Sequence, residues 1–157
     1  MFDFLKKLFF IFLISFLEIN ILMGLLKYYV FIPITFLTFS YYSYKSKKQI
    51  GPLLAFFIGI FVDLISGAYL GLNALCYLVM TYYINSYVNV FKLFSYLQIC
   101  LFFGLSSGMY VAVNQMVTNL SNFSYLLLLI STLVNIILCL MLAVIGLYFP
   151  NIFRIKK

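Results

Sequence analysis

The sequence predicts an all-α membrane protein, a compact bundle of six transmembrane helices that forms one domain over residues 1–157. Of the 157 residues, 66% are hydrophobic and only 8% are charged, and the mean hydropathy is +1.16. Soluble domains carry about 25% charged residues. A transmembrane barrel is excluded, because runs such as residues 124–149 are apolar at successive positions instead of alternating.

Six apolar runs predict the helices, near residues 8–26, 28–44, 52–67, 72–90, 94–117 and 124–149. The first follows a short basic segment, as in a signal peptide, but no small-x-small cleavage site follows it, so we interpret it as a retained helix. In order along the chain, the runs are separated at Lys27, at Lys45 to Lys48, at Ser66 to Leu72, at Lys92 and at Thr118 to Phe123.

The basic residues predict the orientation, because lysine and arginine collect in short cytoplasmic loops. Nine of the ten lie before the first helix, between the second and third, between the fourth and fifth, or after the sixth. Only Lys27 lies on the other side. Both termini are therefore expected to be cytoplasmic, and the net charge of +7 favours an anionic lipid bilayer as its partner. No nucleic acid is expected, since the basic residues form no domain-sized patch.

The composition also argues against most chemistry. The chain has no histidine, and its only carboxylates are Asp3, Glu18 and Asp63. Its three cysteines, at positions 76, 100 and 139, all fall inside apolar runs and form no CxxC pair. We therefore predict no metal site, no cofactor and no catalytic residues, and we do not expect an enzyme.

Asp63 is the most unusual residue, because a carboxylate at the bilayer centre costs about 2.5–3.5 kcal/mol unless it is paired or turned inward. Gly59, Asp63 and Gly67 are four apart and share a helix face if the helix reaches Gly67, so another backbone can approach closely. Ser66, Gly67 and Gly71 then predict a break, after which the next helix presents free N–H groups.

We interpret this stretch as a tight hairpin that Asp63 and Ser66 fasten, with a ligand or proton role for Asp63 as the alternative. Glu18 in the first helix is predicted to be an interior hydrogen-bonding residue or a contact for a partner helix. Asn114, Gln115 and Asn135 are predicted to bond across helices in a polar interior or to contact a partner.

One run of residues resembles the central signature of the rod shape-determining protein MreD family. The positions that carry the resemblance are Gly59, Asp63, Leu64, Ser66, Gly67, Leu70, Gly71, Ala74 and Leu75. The six-helix layout, the basic loop before the signature and Pro33 upstream are also similar. Two positions depart from the family pattern: Ala55 replaces a common glycine, and Ile34 replaces an often polar residue.

The resemblance implies a non-catalytic scaffold in the bacterial inner membrane that serves peptidoglycan elongation and rod shape. It implies MreC as a partner, RodA and a class B penicillin-binding protein as further partners, and MreB on the cytoplasmic side. The family fold is similar to that of the S components of vitamin transporters.

Two alternatives remain open at this point. The first is a vitamin-like binding subunit of a transporter, in which Asp63, Glu18 or Asn114 would line an outward pocket. The second is an intramembrane enzyme, which would need Asp63 and Glu18 to share one cavity.

Overall fold

The computed structural model describes residues 2–46, 50–118 and 123–148, and all regular secondary structure in this part of the chain is helical, with no strand. The all-α prediction is confirmed. The elements are α1 (Phe2–Leu25), a 3₁₀ turn (Leu26–Tyr28), α2 (Ile34–Lys45), α3 (Pro52–Ser66), α4 (Leu72–Ser86), the one-turn α5 (Val88–Phe91), α6 (Tyr96–Thr118) and α7 (Tyr125–Tyr148).

Three of the predicted helices differ from the apolar runs that suggested them. α1 begins at Phe2 and not near residue 8. α2 begins at Ile34 and not near residue 28, because Pro33 disfavours helical backbone in the residue before it. Tyr29 also takes a left-handed conformation (φ 58°), which ends the 3₁₀ turn. The predicted helix 72–90 divides at Tyr87, where α4 ends and the single turn of α5 follows.

The helices pack as two hairpins with α1 and α2 against them. α3 packs extensively on α4, and α6 on α7, while α1 contacts α2 and α3 and α2 contacts α4 and α6. Two stacked ring pairs join α2 to its neighbours: Phe39 lies 4.4 Å from Tyr77 of α4, and Phe36 lies 4.8 Å from Tyr110 of α6, between ring centroids. The core of the bundle is therefore centred on α2.

The α6–α7 hairpin depends on two glycines that our sequence interpretation did not single out. A Cβ on Gly104 would lie 2.6 Å from Cγ1 and 2.9 Å from Cα of Ile136. A Cβ on Gly108 would lie 2.6 Å from Oγ1 of Thr132. The spacing of the two glycines is the GxxxG pattern that lets helices approach closely, so the signal was present in the sequence.

The described bundle has a polar interior and an apolar surface. Its buried polar or charged residues are Ser15, Glu18, Thr35, Ser40, Ser43, Asp63, Asn73, Thr81, Ser107, Ser131 and Asn135. Large apolar side chains are instead exposed along the outer faces, as on α7, where they include Leu126, Leu129, Leu133, Ile137, Met141 and Val144.

Among the described residues, α6 alone is both long and apolar enough to cross a bilayer. Shorter apolar helical stretches span Phe9–Leu22, Pro52–Ser66 and Tyr125–Met141. α2, with 12 residues, is about 18 Å long at 1.5 Å per residue.

We expect Gly104→Ala to destabilise the protein by about 1–3 kcal/mol, because the added methyl overlaps Ile136 and the two helices must separate. Gly24→Ala is the matched control, since nothing lies within 4 Å of a Cβ at Gly24. Unfolding of the purified protein in mixed micelles with increasing sodium dodecyl sulfate measures both. Equal stability of the two variants would contradict close α6–α7 packing at Gly104.

Candidate functional site

The α3–α4 hairpin contains the signature residues and begins with a very close backbone contact. A Cβ on Gly59 would lie 2.3 Å from Cα and 2.6 Å from N of Ala74. No side chain fits between these atoms, so glycine is required at this position. The contact places the first turn of α4 beside α3, close to Asp63, which lies one helical turn after Gly59.

Asp63 accepts four hydrogen bonds from the first turn of α4. Its Oδ2 accepts from the backbone N–H of Gly71 (2.9 Å) and Ala74 (3.4 Å). Its Oδ1 accepts from the backbone N–H of Asn73 (3.0 Å) and from Nδ2 of the Asn73 side chain (2.9 Å). The carboxylate thus caps α4 from another helix, where the free N–H groups and the positive end of the helix dipole favour a negative charge.

This arrangement leaves Asp63 little capacity for chemistry. A carboxylate has about four acceptor positions, and four donors occupy them here. The residue is only 1% exposed. We conclude that Asp63 fastens the hairpin, as predicted from the sequence. No acceptor position of its carboxylate is left for a ligand.

Ser66 does not help to hold the acid, which corrects part of that interpretation. Its Oγ donates to the backbone oxygen of Val62 (2.8 Å) and lies 3.4 Å from that of Asp63, both in its own helix. A serine hydroxyl near a helix end can donate to the carbonyl four residues back. Here the Ser66 hydroxyl donates to that carbonyl and not to the Asp63 carboxylate.

Gly67 and Gly71 make the turn of the hairpin possible. α3 ends at Ser66, so Gly67 lies just beyond the helix and does not extend its small-residue face. Both glycines have positive φ, 63° for Gly67 and 99° for Gly71, which residues with a Cβ rarely adopt. Nothing lies within 4 Å of a Cβ at either glycine, so each glycine is needed for its backbone conformation and not to make space.

Asn73 is a central residue that our sequence interpretation missed. Its side chain donates to Asp63 and accepts, through Oδ1, a hydrogen bond of 2.6 Å from the hydroxyl of Tyr110. The Asp63–Asn73–Tyr110 chain therefore joins α3, α4 and α6. An asparagine in the first turn of a helix that follows a glycine turn was a usable signal, since such a side chain often bonds locally.

Glu18 has the same role at the start of α2. The backbone N–H of Thr35 donates to Oε2 of Glu18 (2.7 Å), and the Thr35 hydroxyl donates to the same oxygen. Glu18 is 9% exposed. The prediction of an interior hydrogen-bonding role for Glu18 matches this geometry, and Glu18, like Asp63, caps a helix from a neighbouring helix.

Glu18 also lines a cavity of about 230 Å³ at one end of the bundle. The other polar residues of its lining are Ser15, Thr35, Ser66, Asn73, Tyr110 and Asn114. Asn114 and Glu18 therefore both line one cavity, while Asp63, which is hydrogen-bonded to Asn73, is not among the lining residues. The two carboxyl groups do not face each other across a shared space.

A third polar contact holds the irregular segment of residues 29–33 against α7. Ser131 Oγ accepts from the backbone N–H of Phe31 (2.8 Å), and Nδ2 of Asn135 donates to the Phe31 oxygen (3.3 Å). Asn135 thus bonds across the bundle as predicted. Gln115 does not line the cavity, and its Oε1 is buried without a partner.

The three remaining signature residues are leucines with largely exposed side chains. Leu64 is 61% exposed on α3, Leu70 is 72% exposed in the turn, and Leu75 is 60% exposed on α4. None of them takes part in the polar interior described above.

Within the described part of the chain, no group of three or more histidine, cysteine, aspartate or glutamate residues is placed to hold a metal ion. The three cysteines are free thiols, each half-buried. Comparisons with protein-family models, with characterised proteins and with solved structures find no match to this chain.

We expect Asp63→Ala to cost at least about 3 kcal/mol, because each buried donor left without an acceptor costs about 1–3 kcal/mol. Asp63→Asn keeps one acceptor oxygen, so its stability should lie between that of Asp63→Ala and that of the wild type. Unfolding in mixed micelles gives the order.

Ser66→Ala is the control from the same turn. It should change stability by no more than about 0.5 kcal/mol, since the lost bonds lie within one helix. If Ser66→Ala were as destabilising as Asp63→Ala, the assignment of the Asp63 carboxylate as the fastening group would be wrong.

Proposed function

We propose that this protein is a non-catalytic membrane scaffold of the MreD kind, which binds MreC and associated proteins of the peptidoglycan elongation complex. The proposal rests on the observation that the signature residues fall into two groups with different roles. Gly59, Asp63, Gly67 and Gly71 build one rigid hairpin, while Leu64 and Leu70 stand exposed on it. Apolar side chains exposed on a fixed backbone give another protein's helix a surface to pack on.

The distribution of polarity supports a membrane setting. The described interior holds Glu18, Asp63, Asn73 and Asn135, whereas large apolar side chains cover the outer faces. A soluble protein would expose few such patches of this extent. In a bilayer the same surface is met by lipid tails or by partner helices, and polar residues face the bundle interior.

The segment of residues 29–33 fits the same setting. Non-helical backbone at membrane depth is tolerated only where protein or a water-filled cavity surrounds it. Here Ser131 and Asn135 of α7 supply hydrogen bonds to Phe31. The short α2 is therefore compatible with a buried entry segment inside a membrane bundle.

The proposed topology has six passes through the bacterial inner membrane, with both termini in the cytoplasm. It rests on the distribution of basic residues, which places Lys45, Lys47, Lys48 and Lys92 on the cytoplasmic side. The α3–α4 turn and the cavity that Glu18 lines then lie at the opposite, outer end. MreC is the direct partner in this proposal, RodA and a class B penicillin-binding protein are further membrane partners, and MreB acts from the cytoplasm.

A vitamin-binding subunit of a transporter is the second candidate. The cavity favours it, since Glu18 and Asn114 do line one outer space. Its volume of about 230 Å³ lies below the roughly 300–1,000 Å³ of sites for drug-sized ligands. We therefore rank the scaffold first.

Co-purification of tagged protein with MreC from the same cells, in mild detergent, tests the proposal. We expect the wild type to retain MreC and the Leu64→Ala/Leu70→Ala double variant to retain much less. If these leucines are central contacts, their loss should cost about 1–2 kcal/mol or more of binding, roughly a 5- to 30-fold weaker complex.

Leu129→Ala/Leu133→Ala on α7 is the matched control, because these leucines are 62% and 60% exposed but lie far along the chain from the signature. It should retain MreC like the wild type. Absence of MreC from the wild-type preparation would refute the scaffold proposal, and equal losses in both double variants would refute the role of the signature leucines.

A further inference from the structure

The cavity at the outer end, which we call the Glu18 cavity, combines one carboxylate with hydrogen-bonding groups from three other helices. Thr35 lies in the first turn of α2, Asn73 lies in the first turn of α4, and Tyr110 and Asn114 lie on α6. The remaining wall is mostly apolar and includes Ile19, Leu22, Phe31, Val62 and Ala68. Such a space, with a few converging polar groups in an apolar lining, has the composition of a small-molecule site.

The charge of the Glu18 cavity selects the class of ligand. Glu18 is nine-tenths buried, and no lysine or arginine is found among the described lining residues. Both hydrogen bonds from Thr35 go to Oε2 of Glu18, and none goes to Oε1. A buried carboxylate is stabilised by a nearby positive charge, so a cation is favoured and an anion is opposed.

The lining also distinguishes an organic cation from a metal ion. A hard metal ion such as Ca²⁺ requires about six to eight oxygen ligands, whereas much of this wall is carbon. An ammonium group on an apolar body matches both parts of the lining. The Phe31 and Tyr110 rings, 6.3 Å apart between centroids, add aromatic surface on which a cation is favoured.

The volume limits the size of the apolar body. A dry cavity of about 150 Å³ is known to bind benzene. The Glu18 cavity, at about 230 Å³, has room for a ring of that size and a short charged arm. It is too small for most drug-sized molecules, whose sites occupy roughly 300–1,000 Å³.

We propose that the Glu18 cavity binds a small organic ammonium ion, whose nitrogen donates to the Glu18 carboxylate and whose apolar part lies against Phe31 and Val62. This ligand site goes beyond the scaffold role and does not depend on it, because its residues come from this chain alone. The ammonium group could belong to a free amine or to a lysine side chain of another protein, and the chemistry of recognition is the same.

The test uses the full-length protein in lipid nanodiscs and three probes of nearly equal size: phenethylammonium, 2-phenylethanol and phenylacetate. The thermal unfolding midpoint is followed as each probe concentration is raised. We expect the cation to stabilise the protein at concentrations roughly tenfold or more below those of the neutral alcohol, as for a charged hydrogen bond. The anion should give no stabilisation.

Three variants locate the effect. Glu18→Gln keeps an oxygen acceptor for Thr35 and the cavity volume, and it should abolish the preference for the cation. Ala68→Leu should reduce binding of all probes by filling the cavity. Asn20→Ala is the matched control on α1, since Asn20 is exposed and its side chain bonds only to the Phe16 oxygen of its own helix, and the preference should persist in it.

n-Butylammonium, which resembles a lysine side chain, distinguishes the two sources. Stabilisation by n-butylammonium without phenethylammonium would indicate a lysine side chain, and stabilisation by both would indicate a free amine. Stabilisation by neither ammonium ion, equal stabilisation of the wild type by phenethylammonium and 2-phenylethanol, an unchanged cation preference in Glu18→Gln, or full binding in Ala68→Leu would each overturn the proposal.

Discussion

The structure depends on one electrostatic constraint, which is that a carboxylate inside an apolar bundle must be surrounded by donors. Asp63 meets this constraint with the N–H groups of Gly71, Asn73 and Ala74, which would otherwise be unpaired at the start of α4. The buried carboxylate and the N–H groups, each unfavourable without a partner, therefore satisfy each other's hydrogen bonds. The pairing works only because Gly59 allows the α4 backbone to lie against α3. From Asp63 the hydrogen bonds continue through Asn73 to Tyr110, and the Tyr110 ring stacks on Phe36. These contacts fix α2, α3, α4 and α6 relative to the Asp63 carboxylate.

The same solution recurs at the end of the bundle that carries the α3–α4 turn, and this repetition connects the fold to the proposed functions. Glu18 meets the first turn of α2, and Ser131 with Asn135 meets the irregular segment before that helix. Polar side chains thus act between elements and leave the outer faces to apolar residues. A rigid interior with an apolar exterior is what a membrane scaffold needs. At Glu18 the two Thr35 donors share one oxygen, so the same residue is also placed to serve a ligand.

Much of the fold and part of the site could be predicted from the sequence. Apolar runs locate the helices well, and the glycines around Asp63 indicate a close approach and a bend. The start of α2 was misplaced, because hydropathy continues through residues 28–33 while Pro33 and the left-handed Tyr29 end helical backbone there. Ser66 was predicted to help fasten the hairpin, but its hydroxyl donates to a backbone carbonyl one turn back in its own helix, an acceptor that the spacing of residues does not reveal. Tyr110 and the cavity depend on packing between distant segments, which no local pattern reports, whereas Asn73 had a local signal in its position after the glycine turn. Gly104 and Gly108 did carry a readable signal.

Amide hydrogen exchange of the protein in nanodiscs, resolved by residue with nuclear magnetic resonance, tests the Asp63 constraint most directly. The first N–H groups of a helix ordinarily have no partner and exchange rapidly. Because Gly71 and Asn73 donate to a buried carboxylate, their amides should exchange as slowly as amides in the middle of α4, while those of the exposed Tyr69 and Leu70 exchange fast. Fast exchange at Gly71 and Asn73, equal to that of Tyr69, would contradict the claim that Asp63 holds the hairpin together.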